Sequence, residues 1–202
     1  MVSRSVPEGL LVLTPLAIEA WAMRRGLPGV TVLKTGLGRE KSIEALSMVD
    51  RIDPKVLVIA GFCGALDPSL EPGDLVVASG VRGPDGSCLT LESESLVLAL
   101  RGDEIRVRSG LIVSSEHLVR GGERKTLYRA GGMAVDMESA WLARTARCRP
   151  LAVVRVVVDT PGRELFDPIK TIGGGVKGLR TLTRLGPALR NWALHQRDRV
   201  GA

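Results

Sequence analysis

Continuous apolar runs separated by helix-spaced segments organise this chain. LLVLT (10–14), VTVLK (30–34), VLVIA (56–60), DLVVAS (74–79), RSGLIVS (108–114) and LAVVRVVVD (151–159) are rich in leucine and β-branched residues, without strict polar alternation. Such runs suit strands buried on both faces. Between them, REKSIEALSMVDRI (39–52) and ESAWLARTARC (138–148) have the spacing of amphipathic helices. A final helix is expected from about Gly175 toward Arg199, bent at Pro187. Alternating strands and helices predict an α/β protein, a three-layer α/β/α sandwich around a mixed, largely parallel central sheet. Turns fall at DPSLEPGD (67–74) and RGPDGS (82–87), and residues 82–104 fit either a short strand or a short helix.

A length of 202 residues with 45% hydrophobic content suits one domain spanning residues 1–202. The net charge of +6 would admit an anionic partner, but much of it gathers in RTLTRLGPALRNWALHQRDRV, where arginines decorate a helix surface. Aromatic residues make up only 3%, so base-stacking platforms are missing and no nucleic-acid partner is expected. Cys63, Cys88 and Cys148 are far apart and form no C-x-x-C pair, which argues against a metal site and for a reducing, cytoplasmic setting. The N-terminal apolar run is broken by Pro7, Glu8, Pro15 and Glu19, short of the ~20 residues of a membrane span. With no convincing signal-peptide cleavage site, it reads as leading into the first strand.

In such folds functional groups gather at the carboxyl ends of strands. Pro15 and Glu19 follow the first run, TGLGR (35–39) the second and GFCGALDP (61–68) the third; later ends carry SSEHLV (114–119), AVDMES (134–139) and Asp159. Neither glycine cluster is a dinucleotide fingerprint or a phosphate loop. Asp136 and Glu138 flank Met137 where an apolar strand meets a helix. They fit two readings: carboxylates that bind ligand hydroxyls, or anions favoured at a helix start by its dipole.

Taken in order, GALDPSLEPGDLVV (64–77), AVDMESAWLA (134–143) and LAVVRVVVD (151–159) resemble the superfamily of purine nucleoside phosphorylases, uridine phosphorylases and methylthioadenosine/S-adenosylhomocysteine nucleosidases. The resemblance runs from Leu10 to about Asp159 and implies the nucleoside phosphorylase-like fold. It implies that Glu19 positions and deprotonates the attacking water, that Glu138 binds ribose hydroxyls and Met137 packs on the sugar, and that Asp159 protonates or hydrogen-bonds N7 of a purine. Asp136 matches the first acid of the motif, whose role is open. Phe62, Cys63 and Gly64 of the glycine turn, with Leu118 and Val119, are the remaining expected substrate contacts. The resemblance also implies no cofactor, no metal and a homo-oligomer, dimeric or larger. Physical logic runs the same way: cleaving an N-glycosidic bond through an oxocarbenium-like sugar calls for an acid, a base and an anion near the ribose. Burial at a strand end is expected to raise the pKa of Asp159 enough for it to act as an acid.

Departures from the family pattern favour hydrolysis. Phosphorylases hold phosphate with an arginine before the third-strand glycine turn and a serine or threonine within it, whereas this chain has Ile59 and Phe62. Neither side chain can donate to a buried anion, and Glu19 adds negative charge nearby. Arg39, after TGLG, keeps phosphorolysis open as the runner-up. SSEHLV lacks an aromatic stacker, Val158 precedes Asp159 where relatives often have serine, and His117 reads as structural. The short MRRGLPGVTVLKTG segment, AVDMES and Phe62 together look like the hopanoid-associated branch, implicated in removing adenine from adenosylhopane. The expected substrate is therefore a small-molecule purine nucleoside releasing adenine, with room for a lipid-conjugated, large apolar 5′ substituent. Methylthioadenosine/S-adenosylhomocysteine- and futalosine-type substrates are the enzymatic alternatives, and a nucleoside-binding regulatory protein is the non-enzymatic one.

Overall fold

The computed structural model describes residues 9–101, 105–160 and 168–200. The lead-in with Pro7 and Glu8 lies outside the described residues. Among the described residues eight strands form one mixed sheet: β1 (Leu10–Thr14), β2 (Thr31–Lys34), β3 (Val56–Ala65), β4 (Leu75–Arg82), β5 (Cys88–Thr90), β6 (Val107–Ser114), β7 (Gly132–Asp136) and β8 (Leu151–Asp159). β2, β1, β3 and β8 pair in parallel, as do β4, β6 and β7, whereas the β3–β7, β4–β5 and β4–β8 pairs are antiparallel.

β8 pairs with both β3 and β4, while β7 and β6 link the same two strands from the other side, so β3, β8, β4, β6 and β7 close into a ring. The register gathers strand ends. Gly64 stands opposite Asp159 of β8 and opposite Val135 of β7, and Ser114 stands opposite Asp136.

Side chains alternate across β1, β3 and β8, so each strand feeds two cores. Val12, Val58 and Val154 pack with Met23 of α1 (Ala17–Gly26), Leu27 just after it, Leu96 of α3 (Glu94–Leu100), Leu182 of α6 (Pro168–Arg184) and Leu189 of α7 (Gly186–Val200). Leu11, Leu57 and Val153 pack with Ala45 and Val49 of α2 (Gly38–Ile52) and Leu142 of α5 (Ser139–Leu142). Helices thus cover both faces, which explains apolar runs without polar alternation. α4 (Gly121–Arg129) closes a smaller cluster of Leu66, Val113, Val119 and Val135 through Leu127.

Two expected helices differ. The 138–148 segment is α5 followed by a 3-10 turn, Ala143–Ala146, ended by Arg147 at φ 52°. The last helix begins earlier than Gly175, at Pro168, and divides into α6 and α7 around Leu185. Pro187 has no N–H to continue the ladder, and Gly186 lies directly against the backbone of Gly26, an approach any side chain would block. In the weakly patterned 82–104 segment, both β5 and α3 form.

Candidate active site

A cavity of about 270 Å³ opens where β1, β3, β6, β7 and β8 end. Every site residue expected from sequence lines it: Glu19, Phe62, Cys63, Gly64, Leu118, Val119, Asp136, Met137, Glu138 and Asp159. Arg124 and Leu37 also line it and had not been expected.

Pro15 turns the chain out of β1, and Glu19 falls in the first turn of α1, where orphan N–H groups suit a carboxylate. Its Oε2 accepts the Leu16 N–H at 2.7 Å and its Oε1 the Phe62 N–H at 2.7 Å. Burial pushes its pKa up to about 7, against the opposing pull of Arg155 and of those two N–H groups, with the Glu138 charge adding to the rise. A carboxyl group fixed at this poise is suited to general-base work near neutral pH.

Arg155 lies fully buried in the middle of β8. Its Nε approaches Asp136 Oδ2 at 2.8 Å, Nε and Nη2 donate to Ser139 Oγ at 3.1 and 3.0 Å, and Nη2 stands 3.8 Å from Glu138 Oε2. Burial works against its charge, but Asp136, Glu138 and Glu19 outweigh it and hold the guanidinium protonated. Nη1 has no hydrogen-bond partner among the described residues. A methyl group on Gly61 would stand 2.5 Å from that atom and 2.8 Å from Glu19 Oε1, so glycine is what lets cation and carboxylate approach. The signal for Arg155 was present in the sequence as a charge inside a nine-residue apolar strand, which requires buried counter-charges.

The two acids of AVDMES divide their work. Asp136 Oδ1 accepts from Ser114 Oγ at 2.6 Å and from the N–H groups of Glu138 and Ser139 at 3.3 and 3.2 Å, while Oδ2 meets Arg155. Its bonds are those of a residue that caps α5 and neutralises Arg155. Glu138 Oε1 accepts the Gly38 N–H at 3.0 Å, tying α5 to the start of α2. Burial raises its pKa; Arg155 opposes the rise and Asp136 reinforces it.

At the other end of the cavity, Arg124 reaches in from α4, 2% exposed. Its Nη2 donates to Asp159 Oδ2 at 2.5 Å, Nη1 to the Ala65 carbonyl at 3.0 Å and Nε to the Val119 carbonyl at 3.2 Å. Asp159 is therefore ion-paired with a buried guanidinium, a partner that the strand-end position alone did not announce. Arg124 was not legible, because GGERKTLYR reads as a polar surface helix with several interchangeable cations. His117 lines the cavity rim with Nε2 at 3.0 Å from Glu123. Arg39 is exposed, pairs with Glu116 at 3.2 Å and does not line the cavity, and Ile59 lies in the core. Among the described residues no group of three His, Cys, Asp or Glu is arranged to hold a metal ion.

Known proteins share this architecture. A sequence profile of the phosphorylase superfamily matches residues 19–170. The 5′-methylthioadenosine/S-adenosylhomocysteine nucleosidase of Staphylococcus aureus is 24% identical over 160 residues, which cover 67% of this chain and 70% of that protein. The Neisseria meningitidis 5′-methylthioadenosine/S-adenosylhomocysteine nucleosidase, solved with methylthio-immucillin-A, superposes with a TM-score of 0.77 at 17% identity, covering 90% of this chain and 98% of that one. Futalosine hydrolase of Helicobacter pylori superposes with a TM-score of 0.76 at 19% identity, covering 92% and 98%.

Proposed function

The chain belongs to the phosphorylase superfamily, and from that premise we propose that it hydrolyses the N-glycosidic bond of an adenine nucleoside, with Glu19 as the base that activates water. The observation that carries this reading is Glu19 itself, a carboxyl group lining the cavity, held by two main-chain N–H groups and poised at about 7. The ribose sits against Met137 with its hydroxyls on Glu138, and the base lies toward Leu118, Val119 and Asp159. The C1′–N9 bond breaks with its electron pair leaving on the purine. Water oxygen bonds to C1′, and the water proton passes to Glu19. The carboxylates of Glu19 and Glu138 offset the positive charge that grows on the sugar.

Phosphorolysis is disfavoured by the same charges. Arg155 is matched by Asp136, Glu138 and Glu19, Arg124 is bonded to Asp159, and Arg39 stands outside the cavity. A phosphate dianion would enter beside Glu19 and Glu138 with no cation free to receive it among the residues lining the cavity. Similarity to methylthioadenosine/S-adenosylhomocysteine nucleosidases and to futalosine hydrolase supports hydrolysis of this bond class.

The 5′ substituent is, in this reading, large and apolar, as in adenosylhopane. Leu37 and Leu118 line the cavity while 57% and 40% exposed, an apolar rim suited to such a group. The protein acts as a cytoplasmic homo-oligomer, and among its described residues no helix is long and apolar enough to cross a membrane.

Adenine release assayed with and without phosphate tests the reaction class: equal rates and a free-ribose product are expected, and phosphate dependence with ribose 1-phosphate formation contradicts hydrolysis. Comparing a lipid-conjugated adenosine with methylthioadenosine tests the substituent, and a strong preference for methylthioadenosine contradicts the lipid reading.

A further inference from the structure

We propose that the outer face shared by α1 and α6 is a docking surface for an anionic lipid bilayer. The net charge of +6 and the arginine-rich stretch near the end of the chain find no use in the cavity, where Arg155 and Arg124 are matched by carboxylates. On α1, Ile18 and Trp21 are exposed one turn apart, and Arg25 follows a turn later. On α6, Val176, Arg180 and Arg184 are exposed at the same helical spacing. Trp21 and Arg25 from one helix, with Val176, Leu179, Arg180 and Arg184 from the other, line a groove of about 360 Å³.

The chemistry of this face is that of a lipid–water boundary. Ile18, Trp21 and Val176 offer apolar surface, and an indole suits the headgroup level, with its ring in the apolar layer and its N–H in the wet one. Arg25 lies over the Trp21 ring at 5.8 Å, and Arg25, Arg180 and Arg184 make neither a hydrogen bond nor an ion pair among the described residues. Their stems can lie along apolar surface while the guanidinium groups reach lipid phosphates. No carboxylate of either helix opposes them: α6 contains no acidic residue, and Glu19, the one acid of α1, faces the cavity. A second copy of this chain is a poor occupant, because a two-fold contact through this face would set its arginines against their own counterparts. Guanidinium groups that nothing holds in place suit the diffuse negative field of a lipid surface better than the fixed contour of an acidic protein.

The same two helices wall the cavity. Leu16, just ahead of α1, and Glu19 line it, while Ile18 and Trp21 of that helix are exposed. On α6, a methyl group on Gly178 would stand 2.9 Å from Phe62 and 3.1 Å from Val158, both cavity residues, so this helix lies directly on the cavity wall between Val176 and Arg180 of the groove. Docking through the α1–α6 face therefore holds the cavity close to the bilayer. The inference does not depend on the nucleosidase reading. Taken with it, docking places the protein where a nucleoside bearing a large apolar 5′ group partitions.

Trp21 supplies the probe, being 55% exposed while the other two tryptophans, Trp141 and Trp192, are 4% exposed. The test titrates the full chain with vesicles of phosphatidylcholine alone and of phosphatidylcholine and phosphatidylglycerol in equal parts, following co-sedimentation and tryptophan emission. Wild type is expected to partition at least ~10-fold more strongly onto the anionic vesicles, since each cation at such a surface contributes roughly fivefold. Its emission should shift to the blue as it binds, and binding should weaken several-fold between about 0.05 and 0.5 M NaCl. The double variant Arg180→Glu/Arg184→Glu, with thermal melting as the folding control, should lose at least ~10-fold of that binding. In Trp21→Phe the protein should still sediment with the vesicles, but without the blue shift. Failure of wild type to bind anionic vesicles, binding that leaves its emission unshifted, or binding unchanged in the folded double variant overturns the proposal. Self-association of wild type that the double variant abolishes, without vesicle binding, assigns the face to a second copy and also overturns it. Retention on a polyglutamate resin without vesicle binding overturns it in favour of an acidic protein. None of these readouts involves adenine release, so failure here leaves the proposed function standing.

Discussion

Glu19 is pulled two ways, by burial toward the neutral acid and by Arg155 and two N–H groups toward the carboxylate, and burial prevails enough to leave it at about 7. If the carboxylate is the base, kcat/KM for adenine release should rise as pH rises through about 7 and level off above it, and a profile flat from about pH 5.5 to 8.5 would contradict that role. Stability has the opposite slope. The folded pKa is raised above the ordinary glutamate value of 4.5, so the stabilising contribution is full below 4.5 and is lost as pH climbs through about 7. Glu19→Gln should remove roughly 2–3 kcal/mol of that pH dependence in urea melts at pH 5 and pH 8. Asp136 is a different kind of acid. Asp136→Asn leaves the buried Arg155 guanidinium short of its nearest counter-charge and should cost about 3 kcal/mol or more in the same melts. The acids of this site were legible from sequence because carboxylates at strand ends are conspicuous. The arginines were not: Arg155 hides in an apolar run, and Arg124 resembles every other cation on a polar helix.

Elements buried on both faces were the most legible. β8 spans the LAVVRVVVD run residue for residue, because its side chains feed both cores and tolerate no polar alternation. β3 runs on to Ala65, past the VLVIA run, because Phe62, Cys63 and Gly64 still pair with β8 and Gly64 and Ala65 with β7, contacts that no local pattern encodes. The α6–α7 break was only half legible. Pro187 announced a bend, but the division at Leu185 depends on Gly186 meeting the backbone of Gly26, a contact between residues far apart in sequence. Gly186→Ala should therefore force that junction apart and destabilise the protein by about 2 kcal/mol, read as a lower urea midpoint; an unchanged midpoint would show that the junction yields freely. The 138–148 segment had helical spacing, yet it stops as α5 because Asp136 and Ser114 bind its first N–H groups and fix where it starts, and Arg147 at φ 52° ends the following turn.

At the scale of the whole molecule, closure of five strands into a ring is what turns scattered sequence motifs into one site: it sets Gly64 between Asp159 and Val135 and brings Glu138 to the cavity wall it shares with Glu19, with Arg155 buried behind them. The α/β class was legible in the alternation of strands and helices. The ring was not, since it depends on β8 pairing with both β3 and β4. The site reading makes Glu19 indispensable to chemistry and dispensable to folding, which one variant can separate. Adenine release by Glu19→Gln, measured in phosphate-free buffer at pH 7.5 on protein that melts cooperatively, is the most direct test. The account predicts a kcat at least ~100-fold below wild type with adenine binding retained, as expected for loss of a general base. Wild-type turnover by the folded variant would contradict it.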